Sequence, residues 1–585
     1  MSTAPRNPMS DPGRRSLIEE LLTGTVPFDL VTSLRAPAAE DTRRADLAAR
    51  EMAAALRETK TAQIVEDTGD LPDGLVDHLR GRRLLHLAAD PGVGGRGLTA
   101  WGVLRVIEAA AGACTGAGLL LAYHNGLGAV PYLPVLAPGP TLDFLRGRLA
   151  AGALTGAADT EPGGAANWAR AADARPTEDG SGYLLNARKV FIGNGPLADL
   201  LAVTAAVEQG GVRRTRIFFV DTSSPGFAVG DRQRFMGLAG SPNATLTLTD
   251  VRVPRERVLA EEDPAAWNAG RQVFPLALGR LFVVAAPGLA IGRACLRHAR
   301  QFVPRRTVDG RPLAGYDEIQ RVVAADLADV YAMEAVAEWA ARAEDAPLGA
   351  NAVLEQFAAK NITSLLAWNC AERTTTLLAG EGYETARSKA ARGADPAPME
   401  QLLRDARGLR IAGGVESLLS SRLGNFSFTY FYPRPVPEAP PAAPADDSRL
   451  SPRNRGHLAA AGEEARRLHR TCRRLAADHP RYPDLIARDR IQVIIGAAVE
   501  ELTAMVLTLG RAARDADAGL DRQDLADIHC TAATQRLADG WARLERIVGG
   551  GEPDHRAVSD ALLAGDRYDD LAADRAAGQE DDGDR

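Results

Sequence analysis

The apolar residues of this chain change their spacing twice along its length, and this change constrains the fold more than any other feature. Over residues 16–150 they recur at every third and fourth position, the period of an amphipathic helix. Over residues 152–258 they form short runs bounded by Gly, Pro, Asn or Asp, and Leu246 and Leu248 alternate with threonines as in a half-buried strand. Helical spacing returns at Trp267. The sequence therefore predicts a mainly α protein with a small inserted β domain.

Local features divide the chain further. Pro287 lies inside the first long helix after the β domain and is expected to kink it. The next helix is expected to pack through a face made of Ile319, Val323, Leu327, Val330 and Met333. Six prolines between residues 433 and 444 indicate a linker. The predicted units are an N-terminal helical domain (16–150), a middle β domain (151–262), a helical bundle (263–430), a proline-rich linker (431–452), a C-terminal helical domain (453–572) and a disordered acidic tail (573–585).

Charge and composition exclude some classes of function. The net charge is −7, with 69 basic and 76 acidic residues interspersed, so nothing favours a nucleic-acid partner. The five cysteines are scattered without metal-ligand spacing, which predicts free thiols in a reducing cytoplasm. We expect no secretory signal and no integral membrane segment, because the start of the chain has no apolar core and no run reaches the ~18 consecutive apolar residues that a membrane span requires.

One glycine-rich segment, Gly92–Gly97, invites comparison with a phosphate-binding loop. No strand is predicted before it, and the chain contains no G-x-x-x-x-G-K sequence. The segment is therefore predicted to form a turn between two helices.

Six short motifs carry a family resemblance. They are Thr160-Glu161-Pro162; Tyr183-Leu184-Leu185-Asn186 continuing to Phe191-Ile192-Gly193-Asn194-Gly195; Met236-Gly237 with Asp250-Val251-Arg252-Val253-Pro254; Arg306 through Gly310; Gly380-Glu381-Gly382-Tyr383; and Arg404-Asp405-Ala406-Arg407. In type and order they resemble the motifs of the acyl-CoA dehydrogenase superfamily. The opening Ser16–Gly24 and the segment Glu501–Ala512 look like the very-long-chain branch of that family, which has an extra C-terminal helical domain.

The resemblance implies an FAD-dependent oxidoreductase that acts on the CH–CH bond of an acyl thioester, as a homodimer, with an electron acceptor that the motifs do not specify. It places Thr160, Phe191, Ile192 and Gly193 beside the flavin ring. It makes Arg306 the arginine that reaches the flavin pyrophosphate of the neighbouring subunit. It makes Gly380 and Gly382 positions where backbone approaches the cofactor closely.

Several family side chains are missing. Gly193 stands where the family has a Thr or Ser, and Ala166 where it has a Ser. Thr376 and the pair Asp317-Glu318 stand where it has glutamines. Each lost hydrogen bond weakens binding by about 1 kcal/mol. We therefore expect flavin binding at partial occupancy.

The general base is the largest departure from the family pattern. Gly413 falls at the family's catalytic glutamate, and Gly279 at the position that carries the glutamate in a minority branch. Glycine has no proton acceptor. Glu416 is a candidate substitute, although a carboxylate at the start of a helix more often serves the helix itself.

The sequence leaves three hypotheses about the function open. The first is an active flavoenzyme with a relocated base, or one that needs none, as in flavin monooxygenases of this fold. The second is a degenerate subunit that pairs with or regulates an active homologue. The third, a scaffold unrelated to acyl groups, is disfavoured by Arg306 and by the Thr160-Glu161-Pro162 loop.

Overall fold

The computed structural model describes residues 13–167, 169–259, 277–432, 438 and 447–572. Its contacts separate into a large unit that ends at Thr534 and a small unit that begins at Gln535. Trp267, the six linker prolines and the acidic tail lie outside the described residues, so the predictions that rest on them stay predictions.

The described chain before residue 151 is helical. A shared feature of its longer helices is an Ala- and Leu-rich buried face, because both residues fit a helix at little cost. The helices are α1 (Leu17–Leu22), α2 (Phe28–Thr32), α3 (Ala39–Glu58), α4 (Thr61–Thr68), α5 (Leu75–Gly81), α6 (Ala100–Ala113), α7 (Thr115–Gly126) and α8 (Pro140–Ala150). The glycine-rich segment forms a single 3₁₀ turn, Pro91–Val93, and among the residues described no strand precedes it.

A mixed sheet follows. Its strands are β1 (Thr155–Ala158), β2 (Asp173–Pro176), β3 (Gly182–Gly193), β4 (Leu200–Gln209), β5 (Val212–Asp221), β6 (Phe227–Arg232) and β7 (Asn243–Pro254). They lie in the order β1-β4-β2-β3-β7-β6, with β5 paired to β4. Strand β3 is long because its pairing with β7 resumes at Ala187 after a bulge at Asn186. Leu246 and Leu248 point into the core between exposed or half-exposed threonines, as the alternation predicted.

Helices resume after the gap at residues 260–276. They are α9 (Ala286–Phe302), α10 (Asp317–Arg342), α11 (Val353–Leu378), α12 (Gly380–Tyr383), α13 (Ala386–Ala391), α14 (Met399–Leu409) and α15 (Glu416–Thr429), with a small hairpin of β8 (Thr307–Val308) and β9 (Arg311–Pro312). A π-helical turn, Leu281–Ala285, leads directly into α9. This widened turn accommodates Pro287. In a regular α-helix the proline ring would clash with the backbone carbonyl four residues earlier, and the π-helical turn relieves that clash.

The predicted packing face of α10 is partly wrong. Val330 and Met333 are buried, but Leu327 is 43% exposed, and Ile319 and Val323 are only partly covered. The buried side of this stretch instead carries Asp326, which pairs with an arginine of α11. Periodicity alone could not reveal this, because a buried ion pair interrupts the apolar face at that point.

The extra helical region begins with α16 (Pro452–Asp478), α17 (Tyr482–Ile486), α18 (Asp489–Asp517) and α19 (Gln523–Val548). It joins the bundle where α15 crosses α18. At Gly424 an added Cβ would meet the Gln492 backbone, and at Gly496 it would meet the Ser420 backbone. Glycine is required on both helices because their backbones are in direct contact. The small unit beyond Gln535 holds the end of α19, α20 (His555–Leu563) and α21 (Asp569–Ala572).

The expectation of no integral membrane segment stays a prediction. Among the residues described, two helical stretches, Ala277–Arg305 and Asp489–Asp517, are long and apolar enough to cross a bilayer. The structure buries 89% and 78% of their most apolar windows inside the protein, a property shared with core helices of globular domains. The five cysteines are buried and free, as predicted.

The start of the described chain is fastened to α11 by a buried carboxyl group. Glu355 Oε1 accepts hydrogen bonds from Ile18 N at 2.8 Å and from Ser16 Oγ at 3.0 Å, while Oε2 has no hydrogen-bond partner among the residues described. Burial raises the pKa of Glu355 to about 7 from its ordinary value near 4.5. The protonated form therefore predominates in the folded protein at mildly acidic pH.

This carboxyl predicts a pH dependence of stability. Between about pH 4.5 and 7 the folded state keeps a proton that the unfolded state has lost, so stability falls as pH rises through that window. The loss approaches about 3 kcal/mol from this group alone. Glu355→Gln should flatten the slope in urea unfolding measured at pH 5, 6 and 7. An unchanged slope in the variant would show that Glu355 titrates normally.

Candidate active site

A buried ion pair fixes the loop after β1. Lys189 is fully buried, and its Nζ donates to Glu161 Oε1 at 2.8 Å and to the Asp159 carbonyl at 3.2 Å. The Glu161 carboxylate also accepts from the N–H groups of Ala171 and Ala172, at 2.7 and 3.0 Å. Burial alone would raise the pKa of Glu161, but Lys189 and these amides outweigh it and keep the pKa below its ordinary value. Strand β3 thus holds the loop in shape.

A β-bulge turns Phe191 out of the sheet. Its backbone adopts φ +58° where the pairing of β3 with β7 shifts, just before the buried Ile192. Positive φ is rare for a bulky residue, so the position is constrained. The ring is 58% exposed and lies 6.1 Å from the ring of Phe235. Val190 N donates to the Thr160 carbonyl at 3.0 Å, which places Thr160 beside this exposed ring.

Tyr123 of α7 explains why residue 193 is glycine. A Cβ added at Gly193 would lie 2.6–2.7 Å from three ring carbons of Tyr123. The ring fills the place where a Thr or Ser side chain would project, and its hydroxyl lies 3.3 Å from Ser241 Oγ. Gly193 and Tyr123 are therefore a complementary pair, and the lost hydroxyl cannot be restored at residue 193 alone.

Arg306 and Gly380 line one cleft of about 600 Å³ in the helical bundle. An added Cβ at Gly380 would touch nothing, so backbone faces open space there. The Arg306 side chain makes no hydrogen bond or ion pair with any residue the structure describes. Neither Thr160 nor Phe191 lines this cleft. One chain therefore carries two separate groups of the predicted cofactor residues.

A second buried lysine holds the loop that carries Gly380. Lys389 is fully buried, and its Nζ donates to the Glu381 carbonyl at 2.8 Å and to the Ala397 carbonyl. Gly382 does not face the cleft. A Cβ there would collide with the Thr375 carbonyl, so its glycine serves helix packing.

A third buried lysine and a buried arginine hold the loop at Gly413. Lys360 Nζ donates to the Gly414 carbonyl at 2.7 Å and to the Arg410 carbonyl at 3.2 Å. Arg280 Nε donates to the Gly413 carbonyl at 2.8 Å. Burial lowers the pKa of Lys360 to about 8, and burial together with the charge of Arg422 lowers the pKa of Arg280 to about 10.

Gly413 itself has φ +69°, and a Cβ there would lie 3.4 Å from Arg280 Cγ. The space admits a side chain, but the backbone conformation favours glycine. Gly413, at the position where the family has its catalytic base, therefore has no side-chain proton acceptor and lies next to the Arg280 guanidinium.

Gly279 is a packing glycine. A Cβ there would overlap Leu127 and lie 2.5 Å from the Gly126 carbonyl, and a Cβ at Gly126 would lie 2.9 Å from Gly279 Cα. The helix before α9 and the end of α7 therefore touch backbone to backbone. A glutamate at this position would require the two helices to separate.

Glu416 is engaged by its own neighbour. It is the first residue of α15, and both carboxylate oxygens accept from the Arg410 guanidinium, with Oε2 2.5 Å from Nε. Glu416 does stand at the start of the helix, but its carboxylate is held by Arg410, and use of Glu416 as a base would break this bidentate ion pair.

The three buried lysines were missed by motif matching, although the sequence holds a signal for them. The chain has only four lysines among 69 basic residues: Lys60, Lys189, Lys360 and Lys389. A residue so rare in an arginine-rich chain is a candidate for positions where a compact ammonium group, and no guanidinium, can fit. Tyr123 gave no comparable signal, since nothing in its local sequence points to Gly193.

A helical domain, a middle β domain and a helical bundle follow one another in this chain, and comparison with known families shows that it belongs to the acyl-CoA dehydrogenase superfamily. Residues 156–251 match the family model for the acyl-CoA dehydrogenase middle domain, and residues 272–425 match the model for its C-terminal domain. The superfamily resemblance drawn from the six motifs is confirmed. The very-long-chain assignment stays a prediction.

The chain is similar to several characterised or named members. It is 30% identical over 414 residues to the probable acyl-CoA dehydrogenase FadE10 of Mycobacterium tuberculosis, covering 69% of this chain but only 62% of that protein. It is 29% identical to an acyl-CoA dehydrogenase of Bacillus subtilis over 64% of this chain and 93% of that protein.

Among solved structures, the fold is similar to the acyl-CoA dehydrogenase of Bacillus anthracis complexed with FAD. The TM-score is 0.73 at 18% identity, over 95% of this chain and 96% of that chain. Butyryl-CoA dehydrogenase of Megasphaera elsdenii matches with a TM-score of 0.56 at 24% identity, over 66% of this chain and 97% of that chain. The first match shows that the fold extends through the C-terminal helical region.

The contact of Gly279 with α7 predicts a large packing penalty. Gly279→Ala should lower the free energy of unfolding by about 1–3 kcal/mol, because an overpacked contact of two backbones cannot relax easily. Gly147→Ala is the matched control. Residue 147 is also helical but faces open space, so alanine there should be neutral or stabilising. Equal urea midpoints for the two variants would contradict the contact.

Proposed function

We propose that this chain is an FAD-dependent oxidoreductase that acts on the CH–CH bond of an acyl thioester, as a homodimer in the cytoplasm. The observation that carries the proposal is the Arg306 guanidinium, which lines a 600 Å³ cleft and has no partner in the described chain. An arginine without a carboxylate beside open backbone suits a ligand phosphate. The names of the similar proteins, dehydrogenases and reductases of acyl-CoA substrates, support the same reaction class.

The residues present fit FAD at its pyrophosphate and at its flavin ring. Arg306 and the open backbone at Gly380 suit a pyrophosphate. Phe191 and Phe235 offer an exposed aromatic surface, which suits a flat tricyclic ring, beside backbone groups of the Thr160 loop. Bound FAD would supply the hydride acceptor for the reaction. The fit to the flavin ring is poorer at residue 193. The Tyr123 ring there fills the space that the Thr or Ser side chain of the family would occupy.

Two copies would complete each site. The phosphate-binding residues and the ring-binding residues belong to different parts of one chain, and the Arg306 cleft does not include Thr160 or Phe191. A two-fold dimer that places the Arg306 cleft of one copy against the Phe191 face of the other would unite them. This division of the site supports the proposed homodimer, as does the family resemblance.

The proton-transfer step is where this chain differs. Residue 413 offers no carboxylate, residue 279 cannot take one, and Glu416 is paired with Arg410. The groups that surround residue 413 are the Arg280 guanidinium and the Lys360 ammonium. In their charged forms these groups would stabilise negative charge on a bound substrate but accept no proton from it. We therefore propose slow ordinary dehydrogenation, or flavin chemistry that needs no protein base.

Replacing Arg306 should weaken the cofactor site selectively. Arg306→Gln should raise the Kd for FAD at least tenfold in a fluorescence titration, because it removes a charged partner of the pyrophosphate. Arg305→Gln is the control, since Arg305 pairs with Asp395 at 3.4 Å and does not line the cleft. A colourless wild-type protein that binds no added FAD, or a mass of one 62.0 kDa chain by light scattering, would contradict the proposal.

Restoring the base should increase dehydrogenation. Gly413→Glu should speed anaerobic bleaching of the flavin by a long-chain acyl-CoA, as a positioned base is worth about 10²–10⁴-fold. The structure favours the low end of this range of rate increases. A positive φ disfavours glutamate, and Arg280 at 3.4 Å from the new Cβ would lower its pKa and basicity.

Gly413→Gln is the control for this comparison, because it adds the same volume without an acceptor. Rapid bleaching by the wild type that Glu416→Gln abolishes would show instead that the base has moved. FAD binding without bleaching by either the wild type or Gly413→Glu would favour the non-catalytic subunit.

A further inference from the structure

Arg280 is a buried arginine whose terminal nitrogens are not used by the fold. The residue is only 8% exposed. Its Nε donates to the Gly413 carbonyl, and its guanidinium carbon lies 5.0 Å from the centre of the Phe357 ring. The two Nη groups make no hydrogen bond or ion pair with any residue that the structure describes. A guanidinium that is fixed through Nε, with its other N–H groups unused, is preorganised for a ligand.

The guanidinium can be reached from outside the protein. Neither Nη atom is fully shielded from solvent. Gly413, whose carbonyl Arg280 holds, is exposed, and so are Ile411 and Val415 on either side of it. A Cβ added at Gly413 would lie 3.4 Å from Arg280 Cγ and 3.9 Å from Val284 Cγ2, with no other described atom within 4 Å. The absence of a side chain at residue 413 therefore leaves an open space beside the guanidinium.

No carboxylate pairs with Arg280 in the part of the chain that the structure describes. Arg422 and Lys360 lie near enough to repel its charge. Asp159 lies near enough to attract it, but both Asp159 oxygens are held by Arg170 Nη2, at 2.8 and 3.0 Å. A buried cation without a counter-ion is unfavourable. A ligand that brings a negative charge to this place would therefore bind strongly.

We propose that the acyl group of the substrate carries a free carboxylate, which binds the two Nη groups of Arg280 beside Gly413. The inference rests on the proposed function, because it names the class of acyl group that this site accepts. A carboxylate matches the paired N–H groups of a guanidinium in shape and charge, whereas a hydrocarbon group would leave them desolvated and unpaired. The contact of Arg280 with Gly413 places this carboxylate on the part of the acyl group that lies at residue 413.

The first test compares two acyl groups on the wild-type protein. By isothermal titration calorimetry of the full chain, the Kd for succinyl-CoA should be at least tenfold lower than that for the CoA thioester of monomethyl succinate. The methyl ester has the same carbon chain but no charge at that end. The protein is used as purified and again with saturating FAD. Equal affinities for the two thioesters would overturn the proposal, and this comparison requires no variant to fold.

A variant shows which group carries the preference. Arg280→Gln should reduce the ratio of the two Kd values to about threefold or less, because it removes the Nη groups. Arg404→Gln is the matched control. It removes one arginine from the helix that leads to Gly413, but the Arg404 guanidinium is already paired with Glu400. A tenfold preference that Arg280→Gln keeps, or that both variants lose equally, would overturn the proposal.

The result is separable from that of the proposed function. A protein that binds no added FAD but prefers succinyl-CoA would support the carboxylate site and contradict the flavin proposal. FAD binding without a preference between the two thioesters would contradict the carboxylate site and leave the flavin proposal intact.

Discussion

Three buried ammonium groups hold the loops on which the candidate site depends. Lys189 binds the loop after β1, Lys389 the loop at Gly380, and Lys360 the loop at Gly413. Each is fully buried. Lys360 and Lys389 direct their donors mainly at backbone carbonyls, whereas Lys189 binds the Glu161 carboxylate, the Thr204 hydroxyl and one carbonyl. Burying a charge costs on the order of several kcal/mol, so the cost is tolerated only where donors and acceptors match closely. Each loop is consequently fixed in one arrangement.

This design separates the framework of the site from its chemistry. The Gly413 loop is positioned by Lys360 and Arg280 through carbonyl oxygens, which every residue type possesses. The side chain at residue 413 is not needed to hold the loop. A glutamate can therefore be absent while the surrounding geometry persists. The same holds at residue 193, where Tyr123 occupies the space that a smaller hydroxyl residue would use.

The sequence predicted the fold class and the superfamily because both rest on repeated, local signals. Apolar spacing distinguishes helices from strands, and six ordered motifs are read from neighbouring residues. What failed were features set by distant partners. Leu327 was placed on a packed face, but Asp326 and its arginine on α11 occupy that side. The two glycines Gly126 and Gly279 touch although they are far apart in the chain, and no local pattern reveals such a contact.

The glycine at residue 382 shows the same limit in another way. Motif matching placed it at the cofactor, and in the structure a Cβ there would collide with the Thr375 carbonyl. A glycine allows close approach of backbone on either side, and only tertiary structure shows which side is used. Gly380, two residues earlier, faces the open cleft.

The burial of the lysines also decides how the surface reacts. Thioesters acylate neutral amines, and a guanidinium stays protonated at physiological pH and does not act as a nucleophile. With Lys189, Lys360 and Lys389 fully buried, Lys60 is the one lysine whose ammonium group reaches solvent. The other Lys and Arg side chains at the surface of the protein are all arginines. The folded protein can therefore stay among reactive acyl donors with almost no side-chain amine for them to modify.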